Sequence, residues 1–427
     1  MRTTDNNCGN FEISDEHCEN LQKIGNYNVC DLCSKNPDLL LFPHSFNAGY
    51  YEKSQIFSLS DKILTTNNIM GFVGRNDTQL TICSRFAQNN KDYFLHYMLQ
   101  KVFAINIFNF DQTSDKENIW DFLLYLFPYY LKKAYAQGLF KAYRYEKYND
   151  ANIKGAIDIA RHIRTNIPFA GKIACNTREY TCDNPVTQLI RHTIEHIKLH
   201  PLGSGVLNCD SDMRDIVSKI CFITQNHYNK NERQKVISAN LKPISHPYFT
   251  EYKILQKICL KILRREKITF GAEKDKIYGL LFDGAWLWEE YLNTILKNHG
   301  FTHPKNKTKE KRILLFNNSH PCYPDFYKEN FVLDAKYKNL TTSIASDDMH
   351  QIISYMHVQQ AELGGFIYPE KTEKSNEINI GTLRGYGGNV KLWNVNIPQT
   401  SGNFSEFCKK MKNEENKFLE NLLQFPT

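Results

Sequence analysis

The sequence predicts an α/β protein in two parts: an α+β N-terminal domain, then a helical lead-in to a C-terminal core of strands and helices. Three observations predict it. Short apolar runs split by turn signals fill much of 38–110, apolar residues recur at helical spacing over most of 183–299, and strand-like runs crowd into 313–337 before a closing helix and strand. At roughly 100–200 residues per domain, 427 residues allow two or three domains. Hydrophobic residues make up 41% and charged residues 23%, with 21 Gly and 14 Pro, which excludes fibrous, disulfide-stapled and disordered chains.

Taken in order, residues 1–36 are polar and rich in Asn, Asp and Cys, and read as a loosely ordered arm. Residues 37–170 read as the N-terminal domain: LLLFPHS and KILTTNNIMGFVGRNDTQLTICSRF give strands around the turn Gly74-Arg75-Asn76-Asp77, and Tyr93–Phe103 turns helical. Residues 118–145 form a second helical region broken near Pro128 and Gly138, followed by NIKGAIDIARHIRTNI at 152–167. Residues 171–270 form a helical linker, with helices over 183–200, 211–227 and 247–267; Asp183-Asn184-Pro185 marks the first start. In the last of them Ile254, Leu255, Ile258, Leu260 and Leu263 leave a basic face of Lys257, Lys261, Arg264 and Arg265, read as solvated.

Residues 271–400 form the core. DGAWLWEEYLNTILKNH at 283–299 is an amphipathic helix stopped by Gly300. The basic run HPKNKTKEKR at 303–312 is either a phosphate-contacting segment or a charged loop. ILLF, PDFY and FVLDAKY then follow at β-meander spacing, a helix covers 347–361, and GGFIYP at 364–369 is an apolar strand. Residues 401–427 read as a charged, helical tail.

The net charge, 53 − 46 = +7, is compatible with a polyanionic partner without requiring one. The N-terminus lacks an apolar signal region, and the greasiest stretch, IWDFLLYLFPYYL at 119–131, is broken by Asp121 and Pro128. A cytoplasmic protein with no membrane segment is therefore expected, its 12 cysteines reduced. Cys30-x-x-Cys33, with Cys8 and Cys18 upstream, has zinc-ligand chemistry, but the spacings are irregular and unligated thiols are the favoured reading. His192 and His196 are i, i+4 without an HExxH string, and read as part of a solvated face. No GxSxG elbow occurs.

One constellation carries chemistry. Pro324-Asp325 opens a short strand, and nine residues later Asp334-Ala335-Lys336 lies in another. Residues i and i+2 of a strand share a face, so Asp334 and Lys336 project together and Ala335 points away. The turn Lys328-Glu329-Asn330 makes the strands antiparallel neighbours and brings Asp325 near Asp334. Two carboxylates and an amine on one face are costly to desolvate, and a divalent cation resolves the repulsion. Oxygen ligands favour Mg²⁺, or Mn²⁺, over zinc. Glu289 and Glu290 lie on the helix upstream, and Gln351 and Tyr355 are i, i+4 on the helix downstream. The competing reading is a surface hairpin with an ordinary Asp–Lys pair.

PDFYKENFVLDAKYK followed by QIISY resembles the PD-(D/E)xK nuclease superfamily with the QxxxY motif of its RecB-type branch. KGAIDIARHIRTN at 154–166, WLWEEYL at 286–292 and GGFIYP extend the resemblance to the McrC-like nuclease subunits of McrBC-type restriction systems, over roughly residues 65–370. LlaJI-type enzymes are relatives. The resemblance implies a restriction-endonuclease-like core with Asp325 and Asp334 as metal ligands, Lys336 as the catalytic lysine and Ala335 lending its carbonyl to the metal. Glu289 matches the family's acidic helix residue, with Glu290 the alternative, and Gln351 and Tyr355 orient active-site groups or hold the DNA backbone. It also implies Mg²⁺-dependent cleavage of foreign double-stranded DNA, with methylation of the target left open because LlaJI-type relatives read a fixed unmodified site, and with two copies combining for a double-strand break. The partner it implies is a McrB-like AAA+ GTPase hexamer, bound and stimulated by the N-terminal domain. The chain's lack of a G-x-x-x-x-G-K-[ST] loop agrees with a motor on another polypeptide. The rival functions are a non-catalytic adaptor that activates the NTPase and a stand-alone, structure-selective nuclease.

Overall fold

A computed structural model describes residues 1–9, 11–36, 39–43, 55–88, 91–103, 115–200, 203–264, 277–304, 313–317, 319–340, 344–371, 377–385 and 388–424. Most of the basic run at 303–312 lies outside them. The fold is mixed α/β. The chain forms two compact units, one of residues 1–112 with 270–427 and the other of residues 113–269.

The first unit holds two five-stranded sheets. One runs Arg2–Thr4, Thr78–Cys83, Ile69–Arg75, Ile277–Asp283, Leu39–Phe42. Its fourth strand comes from beyond the second unit, pairing antiparallel with Ile69–Arg75 and parallel with Leu39–Phe42. Close pairing there needs Gly71, where a Cβ would stand 2.1 Å from the Leu280 carbonyl oxygen. The other sheet runs Phe326–Lys328, Phe331–Ala335, Leu363–Glu370, Asn389–Asn396, Glu377–Thr382, with its three central strands parallel. Their burial is nearly continuous, as expected when both faces of a parallel sheet are covered.

The helix Gly284–Leu296 ties these sheets together. It begins where the strand Ile277–Asp283 ends, capped by Asp283 Oδ1, which accepts from the Trp286 N–H at 3.0 Å. Trp288 and Tyr291 pack on Phe94 of the helix Tyr93–Phe103, and Trp288 Nε1 donates to the Ile367 carbonyl at 3.4 Å. Tyr337, next to Lys336, meets Ser84 Oγ through its hydroxyl at 2.8 Å and so fastens the second sheet to the first.

The second unit contains a three-stranded antiparallel sheet, Ala142–Asp150, Ile173–Thr181 and Ala156–Ile157, with the helix Ile159–Thr165 beside it. Longer helices accompany it: Asp115–Ala136, Pro185–Lys198, Ser211–Ile223 and Thr250–Arg264.

The structure corrects several expectations. Residues 1–36 are no loose arm: Arg2–Thr4 is a sheet strand, and Leu21, Ile24, Val29 and Leu32 are buried in the core. The boundary at 170 falls between paired strands of one sheet, and the division between units lies at 112/113 instead. The boundary at 270 is outside the described residues. The C-terminal segment keeps its expected helix, Phe404–Leu423, and what the sequence does not show is that this helix buries Phe407, Met411 and Phe418. Residues 142–145 are strand, because AYRYEKY alternates faces with period two, while the helix before them runs through Pro128. The expected meander is two hairpins: among the described residues Ile313–Phe316 pairs with Ser319–Cys322 alone, and the next strand joins the five-stranded sheet. His192 is buried, with its ring tilted against that of Tyr228 at 4.9 Å between centroids, rather than facing solvent.

Candidate active site

Phe326–Lys328 pairs with Phe331–Ala335 in the register Phe326↔Leu333, so one step further Asp325 stands opposite Asp334. The Asp325 carboxylate takes a place that backbone pairing has vacated: its Oδ2 accepts from the Ala335 N–H at 2.7 Å. The Asp325 carbonyl oxygen receives His303 Nδ1 at 2.6 Å, and His303 stacks on Phe326. Asp334 is 3% exposed, close to the limit for an ionisable side chain.

Lys336 leaves the strand on the Asp334 side, as the i, i+2 rule requires. Its Nζ is 2.7 Å from Asp334 Oδ2 and 3.0 Å from Asp348 Oδ1. The approach to Asp334 is close but off the line of a hydrogen bond, so Asp334 Oδ2 is a buried oxygen without an aligned donor. Asp348, in the first turn of the helix Ser346–Gln359, also binds Lys338 Nζ at 2.7 Å through Oδ2.

Burial, then the negative charges of Asp325, Asp283 and Asp334, push the Glu289 carboxyl well above the usual carboxylate range. Glu289 therefore faces the cluster. Burial and the Asp334 charge push Asp325 up strongly, against the opposing Ala335 N–H bond. Asp334 is raised as well, first by burial, with Lys336 opposing. Burial works to lower the Lys336 ammonium, but Asp334 and Asp348 outweigh it and keep the amine protonated. Burial works to raise Asp348, and Lys338 and Lys336 overcome it, so Asp348 stays ionised.

Gln351 and Tyr355 share a helical face, and Gln351 Nε2 donates to the Tyr355 hydroxyl at 2.8 Å. Tyr355 is buried, and its phenol is raised by burial and by the Asp334 and Asp325 charges, which places it beside the cluster; Gln351 is exposed. The helix carrying them packs onto the Gly364-Gly365 step: a Cβ on Gly364 would meet Met356 Sδ at 2.3 Å, and one on Gly365 the Lys391 carbonyl oxygen at 1.8 Å. Asp283 and Asp348 join the site only in the folded chain. The i, i+3 spacing of Asp348 to Gln351 was the available signal.

Among the described residues, no three His, Cys, Asp or Glu side chains form a ready-made metal cage, the N-terminal cysteines included. The cluster nevertheless fits a hard cation. Its donors are all oxygen, its carboxylates repel one another, and Asp334 Oδ2 lacks an aligned donor. Mg²⁺ needs only one or two carboxylates, with water and phosphate oxygens completing its shell.

Fold and cluster together define a class: an α/β protein whose mixed sheet carries a buried acid–amine centre at one end. The chain belongs to the McrBC family, because the family model described as McrBC 5-methylcytosine restriction system component matches residues 64–369. Among solved structures, the refined half-complex from a tetradecameric assembly of Thermococcus gammatolerans McrB AAA+ hexamers with bound McrC is similar in fold. It matches over 99% of this chain and 100% of that chain, with 14% identity and a TM-score of 0.52. The cryo-EM structure of the Thermococcus gammatolerans McrBC complex matches over 65% of this chain and 80% of that chain, at 12% identity and a TM-score of 0.30, too low to bear on the fold. A comparison with curated proteins gives no match. No helix among the described residues is long and apolar enough to cross a membrane.

Proposed function

We propose that the chain is the McrC-like nuclease subunit of a McrBC-type restriction system, with a PD-(D/E)xK active site. It hydrolyses phosphodiester bonds in foreign double-stranded DNA in the cytoplasm, using Mg²⁺ or Mn²⁺. A McrB-like AAA+ GTPase hexamer licenses the cut and is stimulated in return, and two copies combine for a double-strand break. Family membership supports the system. The observation that carries the nuclease reading is the convergence of Asp325, Asp334 and Lys336 where two adjacent strands end.

Asp325, Asp334 and Glu289 would hold the cation, with the Ala335 carbonyl as a further oxygen. When bound, Mg²⁺ supplies Lewis-acid polarisation of the phosphoryl oxygen and a more acidic water. Lys336 does the complementary work. Held protonated, it offsets the negative charge that builds on the phosphorane oxygens and orients the attacking water. Tyr355 and Gln351 border the cluster and contact the DNA backbone or orient its groups.

The test is plasmid cleavage by the purified chain with Mg²⁺, with and without the AAA+ partner and GTP. Cutting that needs the partner and disappears in Asp334→Ala and Lys336→Ala is expected. Wild-type cutting by those variants refutes the site, stimulation of GTP hydrolysis without any cutting indicates an adaptor, and strong cutting of branched DNA without a motor indicates a stand-alone nuclease.

A further inference from the structure

Lys336 and Lys338 leave the chain two residues apart, just beyond the strand Phe331–Ala335, and one carboxylate spans them. Asp348 Oδ1 lies 3.0 Å from Lys336 Nζ, and Asp348 Oδ2 lies 2.7 Å from Lys338 Nζ. The Asp348 side chain is 16% exposed and that of Lys336 19%, so solvent screens this contact only partly. A lysine amine rides on a flexible four-carbon stem and is placed only by what holds it. One of its two holders, Asp334, is also a cation ligand in the nuclease reading, and a carboxylate oxygen given to a cation is no longer free to fix an amine. The other holder stands on a separate element, the helix Ser346–Gln359, on the face that also carries Gln351 and Tyr355.

We infer that Asp348 is a positioning residue for the proposed hydrolysis: it fixes the Lys336 amine from the helix side while Asp334 serves the metal. The inference rests on the nuclease reading and adds a residue to it. Asp347 is its natural control, because it is exposed in the same first turn and carries the same charge at the helix N-terminus. Lys338 is the second control, because its loss leaves the Asp348–Lys336 contact in place.

The experiment is single-turnover plasmid cleavage by the full chain with its AAA+ partner, GTP and Mg²⁺, for wild type, D348N, D348E, D347N, K338A and K336A. Mn²⁺ calorimetry and thermal melting of the chain alone accompany it. Loss of one ion-pair contact to the amine, 3.0 Å in the wild type, slows D348N cleavage about 10- to 100-fold. Mn²⁺ affinity stays within about threefold of wild type, because Asp348 is not a ligand and its charge acts through a partly screened path. D348E falls between D348N and wild type, D347N cleaves within about threefold of wild type, as expected of an exposed charge, and K338A, which frees Asp348 Oδ2 but leaves Oδ1 on Lys336, is slowed less than D348N. If D348N melts too low to assay, D348E decides: slowed cleavage with intact Mn²⁺ binding supports the inference, and wild-type cleavage overturns it. Wild-type cleavage by D348N beside an inactive K336A also overturns it, as does equal impairment of D347N or K338A, which assigns Asp348 to helix or charge balance. Wild-type cleavage by K336A overturns the nuclease reading itself.

Discussion

Asp325→Asn separates stability from function, and the structure fixes the sign of both effects. Asparagine keeps the shape, and its Oδ1 still accepts the Ala335 N–H that Asp325 receives at 2.7 Å. What disappears is one buried negative charge opposite Asp334. Directly opposed residues in an antiparallel pair stand about 5 Å apart. Two charges at about 5 Å and an effective dielectric of about 20 repel by about 3 kcal/mol, part of which Lys336 already neutralises, leaving about 1–2 kcal/mol. The Asp325 carboxyl is pushed well above its usual 3.8, so the folded state holds its proton more tightly than the unfolded state does. The stability this contributes is complete below the usual value and is lost as pH rises toward the raised one. Asparagine mimics the protonated form at every pH. In EDTA the variant therefore matches wild type near pH 4 and melts higher than wild type at pH 8, by about 2 °C or more per kcal/mol. Millimolar Mg²⁺ raises the wild-type melting temperature more than the variant's and narrows the gap, while DNA cleavage by the variant is lost. Scanning calorimetry at both pH values, with EDTA and with Mg²⁺, reads all of this. A variant less stable than wild type at pH 8 in EDTA, or equal stabilisation of both proteins by Mg²⁺, refutes the reasoning.

Three other perturbations have definite outcomes. Lys336→Ala strips Asp334 of its ion-pair partner and costs about 3 kcal/mol at pH 8 in EDTA, a loss that Mg²⁺ largely reverses in urea titrations. Gly365→Ala drives a methyl group into the Lys391 carbonyl oxygen 1.8 Å away, and separating the two central strands costs more than about 3 kcal/mol, seen as a lowered thermal midpoint or failure to accumulate. Glu415→Gln weakens a buried node in which Glu415 Oε1 accepts from the Tyr97 and Tyr291 hydroxyls at 2.8 Å each and Oε2 pairs with Lys101 at 2.9 Å. A loss of about 2–4 kcal/mol is expected by calorimetry.

Local chemistry was legible where the chemistry is local. The hairpin that opposes Asp325 and Asp334, the shared side of Asp334 and Lys336, and the Gln351–Tyr355 pair follow from strand and helix periods alone. The helix after Asp283 announced itself by its apolar period and by Gly300, which takes the left-handed conformation at φ 83°. Readings failed where an element is stabilised by something far away. Residues 1–36 look polar because few of their side chains are apolar, yet Leu21, Ile24, Val29 and Leu32 meet a sheet built by other segments. The tail from Ser405 reads correctly as a charged helix, but its sequence does not show that Tyr97, Lys101 and Tyr291 surround Glu415.

By itself, the order of residues determined which acids and which amine meet at the hairpin, because pairing across a two-residue turn leaves a single register that suits them. It determined too that Asp334 and Lys336 emerge on one side. Only the tertiary structure decided that Glu289 lies under the influence of the Asp325 and Asp334 charges, that Asp348 holds Lys336 and Lys338, and that a strand from beyond residue 270 completes the N-terminal sheet. Those outcomes depend on how a helix is rotated about its axis and on which distant edges satisfy their hydrogen bonds. Both are set by packing between segments far apart in the chain, which no local period encodes.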